Sequence, residues 1–302
     1  MQVVANGIAI EVDDQGPPDA QPLLLIMGLG MQLVAWPQAL VQLLVARGFR
    51  VLRIDNRDTG LSAGFDDRGV PNLAWSALRY GLRLPVSSPY GLADMAADAV
   101  GVLDALNLRQ AHVCGASLGG MVAQHIAAQH ASRVCSLTLM MTGSGSRKVP
   151  GPSLRVQRAL MSRPTAPGID AAVAHLKALL KVIGSPAYPP DPQMLDKRLR
   201  LAVQRALRPA GVVRQLAAVA ADGDRGVLLS RISAPTHIIH GQADVLIPVA
   251  AAVDLQARIA GATLDVVPGM GHDLPDALLP RFADGIKGNA DRFAITARRR
   301  SA

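Results

Sequence analysis

Gly115-Ala116-Ser117-Leu118-Gly119 is the stretch whose residue types and spacing could do covalent chemistry. It follows the apolar run Ala111-His112-Val113-Cys114 and opens a segment of helical pattern, Met121 to Ala128. A Gly-x-Ser-x-Gly between strand and helix makes a turn tight enough to strain the serine backbone. Small residues are needed two positions either side, because strand and helix nearly touch there. The turn lifts the Ser117 hydroxyl clear of the sheet edge, where a base and a substrate carbonyl can both reach it. The chemistry implied is nucleophilic attack by a serine.

Gly60-Leu61-Ser62-Ala63-Gly64 matches the same pattern, so the pattern alone decides nothing. Beyond Ser62 the chain reads Phe65-Asp66-Asp67-Arg68-Gly69-Val70-Pro71, charged and broken by proline, with no helix to close an elbow. Ser62 therefore reads as a loop residue. A nucleophilic serine also needs a base, since a free hydroxyl is protonated at neutral pH. Of seven histidines, His112, His125 and His130 belong to the elbow strand and helix, and His175 to a long helical stretch. His237 and His240 flank an apolar run and read as strand-end packing or hydrogen-bonding groups. His272 stands apart, in the loop Pro268-Gly269-Met270-Gly271-His272-Asp273 directly after the strand-like Thr263 to Val267. It can be presented at the same sheet edge as Ser117.

The third member orients the imidazole and stabilises the imidazolium formed during attack. Asp244 is the best candidate, after a strand-like run and before the Pro248 helix start. Its rivals are Asp222 and Asp224 in a polar loop, Asp265 inside a strand, and Asp273 beside the histidine. Charge developing on a substrate oxygen needs two backbone donors. The amide of Leu118 is one; the other is that of Leu29 in Gly28-Leu29-Gly30-Met31-Gln32, with Gly28 as runner-up. Gly28, Met31 and Trp36 are the candidate substrate contacts, and Trp75 is a further aromatic that could line a pocket. The Gly-x-Gly is not read as a dinucleotide site, because position 33 is Leu where a third glycine would stand.

These residues need a scaffold that brings loops to one edge. Apolar strand-like runs at 23–27, 50–54, 111–114, 134–141, 235–240 and 263–267 alternate with helical patterns near 36–46, 94–106, 118–130, 248–259 and 276–287. That alternation predicts an α/β fold with a mostly parallel central sheet flanked by helices. Two short strands about Asn6-Gly7 are expected at the N-terminus. From 144 to 230 the alternation stops and Pro-bounded helical stretches take over. The expected division is a core of residues 1–143 and 231–302, with a helical cap at 144–230 inserted after the sixth strand.

Composition allows one large core with an inserted subdomain, since half of the 302 residues are hydrophobic. No apolar run reaches the ~18 residues of a membrane span, and the N-terminus lacks the basic and apolar regions of a signal peptide. No membrane partner and a cytoplasmic location are the expectations. Cys114 and Cys135 read as buried thiols, and no Cys or His cluster has metal-ligand spacing, so no metal is expected. Net charge is +8, concentrated between Ser144 and Arg225, where 14 Lys and Arg face 5 Asp and Glu. The rest is near neutral apart from Arg298-Arg299-Arg300. With four Phe, two Trp and three Tyr in all, base-stacking groups are too few for a nucleic-acid reader. The basic stretch reads as a solvated cap face, with steering of anionic substrates as the alternative.

Four pieces, Met27 to Gly30, Gly115 to Gly119, His240 to Pro248 and Gly269 to His272, make the chain resemble the α/β-hydrolase superfamily over nearly all its length. The order Ser, Asp, His along the chain is the one that family shows. Asp55 to Ser62 and Tyr90 to Asp98 are similar to the anthracycline methylesterase group, which hydrolyses a methyl ester on a polyketide glycoside. Met27 departs from the superfamily pattern, where many members have His, and the segment Ala74 to Pro89 is longer than that group implies. The resemblance implies a serine carboxylesterase without a cofactor, with a methyl ester of a polyketide-like compound as one substrate, and the Leu, Ala, Val and Met that dominate the cap favour a small to medium apolar ester. Lactone hydrolysis, C–C bond hydrolysis and perhydrolysis use the same triad and remain alternatives, as does a non-catalytic binding module. Asp-dependent epoxide and haloalkane hydrolysis is disfavoured by Ser117.

Overall fold

The computed structural model describes the backbone of residues 1–301 and the side chains of residues 1–295. Arg298-Arg299-Arg300 lie outside the described side chains. Eight strands form one sheet: β1 (Gln2–Ala5), β2 (Ile8–Gln15), β3 (Gln21–Ile26), β4 (Phe49–Ile54), β5 (Ala111–Ala116), β6 (Val134–Met140), β7 (Thr236–Gly241) and β8 (Thr263–Val267). Their order is β1-β2-β4-β3-β5-β6-β7-β8. Pairing is antiparallel at β1–β2 and β2–β4 and parallel from β4 to β8.

Alternate residues of the inner strands enter opposite faces, which is why they read as unbroken apolar runs. Leu23 and Leu25 of β3 join one core cluster with α1 (Gln38–Ala46), while Leu24 and Ile26 join the other. That second face is covered by α3 (Leu92–Ala105), α4 (Leu118–Gln129) and α10 (Ala250–Arg258). α11 (Leu279–Ser301) lies beside α1 and continues past the expected end near 287. Buried Ala290 and the Asn289 amide, which donates to the Leu137 carbonyl at 2.8 Å, hold the extension to the sheet.

From β3 the chain turns one way to β4 and later returns on the other side as β5. Loops at the carboxyl ends of β3 and β5 therefore diverge from a topological switch point, where open α/β sheets bind ligands. Gly28 and Ser117 lie in those two loops.

Between β6 and β7 come five helices: α5 (Leu154–Met161), α6 (Ile169–Ile183), α7 (Pro192–Arg205), α8 (Pro209–Asp222) and α9 (Gly226–Leu229). Ala172 and Val173 of α6 pack on Leu199 and Val203 of α7 in a small core of their own. One helix departs from the expected pattern, α2 (Leu73–Gly81), in the long segment before Pro89. Asn72 caps it by accepting from the Trp75 amide at 3.0 Å, and this cap beside Pro71 is its sequence signal. α2 packs against α8.

Arg147, Lys148, Arg155, Arg158, Arg163, Lys181 and Lys197 of the basic stretch are exposed, as expected, but other members of it make buried or half-buried ion pairs. Arg214 of α8, 1% exposed, forks onto both oxygens of fully buried Asp58 at 2.7 Å. Arg205 of α7 donates to buried Asp55 at 2.5 Å, Arg198 to Asp276 and Arg225 to Asp222. Burial acts to raise the Asp58 carboxyl, but donors from Arg214, the Phe65 amide and Tyr90 outweigh it and hold the group below its usual range. Part of the excess charge thus fastens the inserted helices to the loop after β4. Among the described residues no helix is long and apolar enough to cross a membrane.

This packing makes two predictions. A Cβ on Gly119 would lie 2.0 Å from the Ile26 carbonyl oxygen, a backbone atom with no room to retreat. Gly119→Ala should destabilise the protein by about 3 kcal/mol in urea unfolding. The second concerns His112, buried in β5 and edge-on to Phe49, where burial pushes its imidazole down to about 4. Between pH 4 and 6.5 the unfolded chain binds a proton there that the folded chain refuses, so stability should fall as pH drops through that window. The loss is on the order of 3 kcal/mol, and His112→Gln should flatten it in urea titrations at several pH values.

Candidate active site

Ser117 is the residue between β5 and α4, and its backbone has φ 54° and ψ −120°. A non-glycine residue with positive φ is strained and persists only where its surroundings over-determine it. Here they do. The Ser117 amide donates to the Met140 carbonyl at 2.9 Å, and the Thr142 hydroxyl donates to the Ser117 carbonyl at 2.7 Å. A Cβ on Gly115 would stand 2.2 Å from the Gly119 carbonyl oxygen, so the small flanking residues are required sterically.

His272 follows β8 and Asp244 follows β7, both at the carboxyl edge of the sheet. His272 Nε2 lies 3.0 Å from Ser117 Oγ, and Nδ1 lies 2.7 Å from Asp244 Oδ2. The other Asp244 oxygen accepts the amides of Leu246 and Ile247 at 2.9 and 2.8 Å. With its side chain fully buried and its lone pairs so used, Asp244 can take one N–H from His272 and hold one tautomer. Behind it, buried His240 bonds the Ile247 carbonyl through Nε2 at 2.7 Å, and burial lowers its pKa. A neutral His240 adds no competing charge beside the carboxylate.

The inserted helices reach this loop as well. The His272 amide donates to the carbonyl of Ile183, the last residue of α6, at 2.7 Å. Ser185 just beyond accepts the Gly271 amide at 2.8 Å and its hydroxyl bonds Asp273. Nothing in the sequence pattern marks Ser185, because its partners lie 86 and 88 residues away.

Gly28, two residues past β3, lies against Ser117: a Cβ there would be 3.1 Å from Ser117 Cβ and 3.6 Å from Oγ. The next residues form a turn closed by the Met31 amide on the Gly28 carbonyl at 3.1 Å, with Gly30 at φ 63°. Leu29 stands inside that turn. Leu118 is the first residue of α4, where an amide has no acceptor within its own helix and lies at the positive end of the helix dipole.

Other expected residues lie elsewhere. Trp36 is corrected: it has no exposed surface and packs in the α1 face of the core, so it cannot touch substrate. Half-buried Met31 packs on the same cluster, while Trp75 is exposed on α2. Ser62 is buried with its hydroxyl committed, donating to the Asp55 carbonyl at 2.6 Å and accepting the Glu11 amide at 2.9 Å. Asp222 bonds His125 and Arg225, Asp224 and Asp265 pair with Arg258 and Arg281, and Asp273 bonds Ser185. A largely apolar cavity of about 240 Å³ opens beside the elbow helix, with Met121 of α4, Leu216 and Val219 of α8 and Tyr80 of α2 in its wall. Among the described residues no group of three or more His, Cys, Asp or Glu is placed to hold a metal.

The alpha/beta hydrolase fold family matches residues 21–276. The chain belongs to that family. It is similar to rhodomycin D methylesterase of Streptomyces peucetius, 31% identical over 295 residues that span 90% of this chain and 91% of the relative. It is also similar to 2-hydroxymuconate semialdehyde hydrolase of Pseudomonas sp. (strain CF600), 28% identical over 98% and 96% of the two chains. The resemblance to anthracycline methylesterases read from Asp55 to Ser62 and Tyr90 to Asp98 stands with the first of these, and a carboxylester hydrolase is the enzyme class that agrees with it. In fold, a meta-cleavage product hydrolase from Pseudomonas fluorescens superposes with a TM-score of 0.72 at 21% identity, covering 97% of each chain.

The strain at Ser117 makes its own prediction. Ser117→Gly removes the Cβ that resists positive φ and should raise unfolding free energy by roughly 1 kcal/mol. Ser117→Ala should show no such gain in the same thermal melts.

Proposed function

We propose that the protein is a carboxylic ester hydrolase working through an acyl-enzyme on Ser117. The observation that carries this reading is the continuous chain from a strained Ser117 through His272 to buried Asp244, with hydrogen-bond distances of 3.0 and 2.7 Å. His272 Nε2 takes the proton of Ser117 Oγ as that oxygen bonds to the ester carbonyl carbon. The carbonyl electrons move to oxygen, where the amides of Leu29 and Leu118 receive the charge. His272 then protonates the leaving alkoxide, the carbonyl re-forms, and the acyl group is left on Ser117. A water gives its proton to His272, attacks the acyl carbon, and releases the acid while Ser117 recovers its proton. Asp244 keeps Nδ1 protonated throughout. No cofactor enters.

The substrate class rests on two supports. The methylesterase relative is named for rhodomycin D, and Leu, Ala, Val and Met dominate the residues of the inserted helices. A small to medium apolar ester, such as the methyl ester of a polyketide-like compound, fits both. Residues 1–143 and 231–302 serve as the catalytic core and 144–230 as the cap that shapes the substrate site, with α2 joined to it. Gly28 and Met31 border the oxyanion turn as substrate contacts. The working location is the cytoplasm, the partner a small-molecule ester.

A second reading, hydrolysis of a C–C bond by the same triad, has one observation in its favour: the semialdehyde hydrolase relative aligns over 98% of this chain. The two separate in one experiment. A p-nitrophenyl ester series from acetate upward, with an aromatic methyl ester, should be turned over by the native chain and by Ser62→Ala. Ser117→Ala should abolish turnover, and Asp244→Asn should lower kcat by about 10⁴ while the fold is kept. Cleavage of a ring-fission dienoate by a folded enzyme that leaves every ester intact would replace the first reading with the second.

A further inference from the structure

The oxyanion turn is held from outside the catalytic core. Gln215 of α8 is fully buried, and its Oε1 accepts the Gly30 amide at 2.8 Å. Its Nε2 donates to the Arg57 carbonyl at 2.9 Å and to the Thr59 hydroxyl at 2.8 Å. A carbonyl can only accept, so the Arg57 contact fixes which end of the amide is nitrogen and leaves the oxygen facing Gly30. One helical turn earlier, Val212 occupies the space a Cβ on Gly30 would need, 2.6 Å from its Cγ2. Gly211 lies so close to the Asp58 carbonyl that a Cβ would be 2.2 Å away. α8 therefore meets the turn with a hydrogen bond and a steric stop, and is itself anchored by the Arg214–Asp58 pair.

The Met31 amide closes the turn on the Gly28 carbonyl, and Gln215 holds the peptide in its middle. The turn's third residue has φ 63°, a conformation that glycine enters and leaves at low cost. The peptide between Leu29 and Gly30 carries its N–H to Gln215. If that bond is lost, the Leu29–Gly30 peptide can flip, and the Leu29 N–H, which belongs to the preceding peptide, shifts as far as the turn as a whole relaxes.

We propose that Gln215 is the positioning residue of the oxyanion hole, so that docking of α8 sets where the turn, and with it the Leu29 amide, stands. This rests on the esterase reading and on the assignment of Leu29 as a donor. Gln215 touches no reacting atom; it acts through Gly30. The hole is thereby completed by a helix that also walls the neighbouring cavity, which couples the seating of the cap to the charge-stabilising step.

The test compares transition-state with ground-state binding in the full-length enzyme. Gln215→Met keeps the size of the side chain and removes both polar ends. Phenylboronic acid, which adds to Ser117 and places a tetrahedral oxygen in the hole, is the transition-state probe; KM for p-nitrophenyl acetate and the melting temperature report ground-state binding and fold. Gln215→Met should lower kcat and boronate affinity together by roughly 10- to 100-fold, with KM within about two-fold. Thr59→Val removes one of the two anchors on the amide and should show the same pattern at a smaller amplitude, which carries the test if Gln215→Met does not fold. Unchanged boronate affinity in a folded variant overturns the proposal, as does a loss of kcat that merely tracks a loss of melting temperature. If the native enzyme neither cleaves esters nor binds the boronate through Ser117, the esterase reading itself has failed, a result distinct from the other two.

Discussion

The approach of two backbones, the first turn of α4 against the end of β3, is the constraint on which the site depends. Where Gly119 passes Ile26 there is no volume for even a methyl group. This closeness presses the β5–α4 turn against the β3 loop and sets Ser117 beside Gly28. The same compression forces Ser117 into positive φ, and the ladder bond to Met140 with the Thr142 hydroxyl holds it there. Ser117 and the Gly28–Met31 turn are neighbours because β3 and β5 are adjacent parallel strands diverging at a switch point. One steric fact thus orders the elbow, its strain and the turn beside it.

The loop after β4 does comparable work for the inserted helices. Asp55 accepts from Arg205 of α7, Arg57 forks onto Asp98 of α3, and Asp58 accepts from Arg214 of α8. Buried ion pairs are weak sources of net stability, since desolvation cancels much of the attraction, but losing one partner is costly. Their effect here is placement: α7 and α8 can seat only where buried carboxylates meet their guanidinium groups. Gln32, beside the oxyanion turn, is gripped in the same way by the Ala202 and Ala206 carbonyls at the end of α7. The helices over the site and the loops of the site are one hydrogen-bonded body.

Much of this is legible in the chain. Inner strands show as apolar runs because both faces are buried, and glycines two positions either side of Ser117 reflect the close approach. Asp244 and His272 are legible because each sits in a short loop after a strand, and parallel strands deliver such loops to one edge. α2 escapes the pattern because nine residues in a loop bounded by Pro71 and Pro85 are too few to stand out as a helix. Trp36 is misplaced by sequence reasoning because an aromatic after a glycine loop looks alike whether it faces a pocket or the core. Arg205 and Arg214 cannot be told from their solvated neighbours in the basic stretch because their carboxylate partners lie on a loop about 150 residues away.

By itself, then, the sequence determined the alternation of strand and helix, the elbow and the identity of the three residues that could form a triad, since each depends on local periodicity or on residues a few positions apart. It determined the loops that meet at the sheet edge but not what holds them. The tertiary structure decided that Ser62 is a structural hydroxyl, that Arg205 and Arg214 are fasteners, and that Gln215 and Ser185 brace the loops at Gly30 and Gly271. Those roles arise from contacts across long sequence separations, between single side chains and backbone atoms, and such contacts leave no period or spacing along the chain.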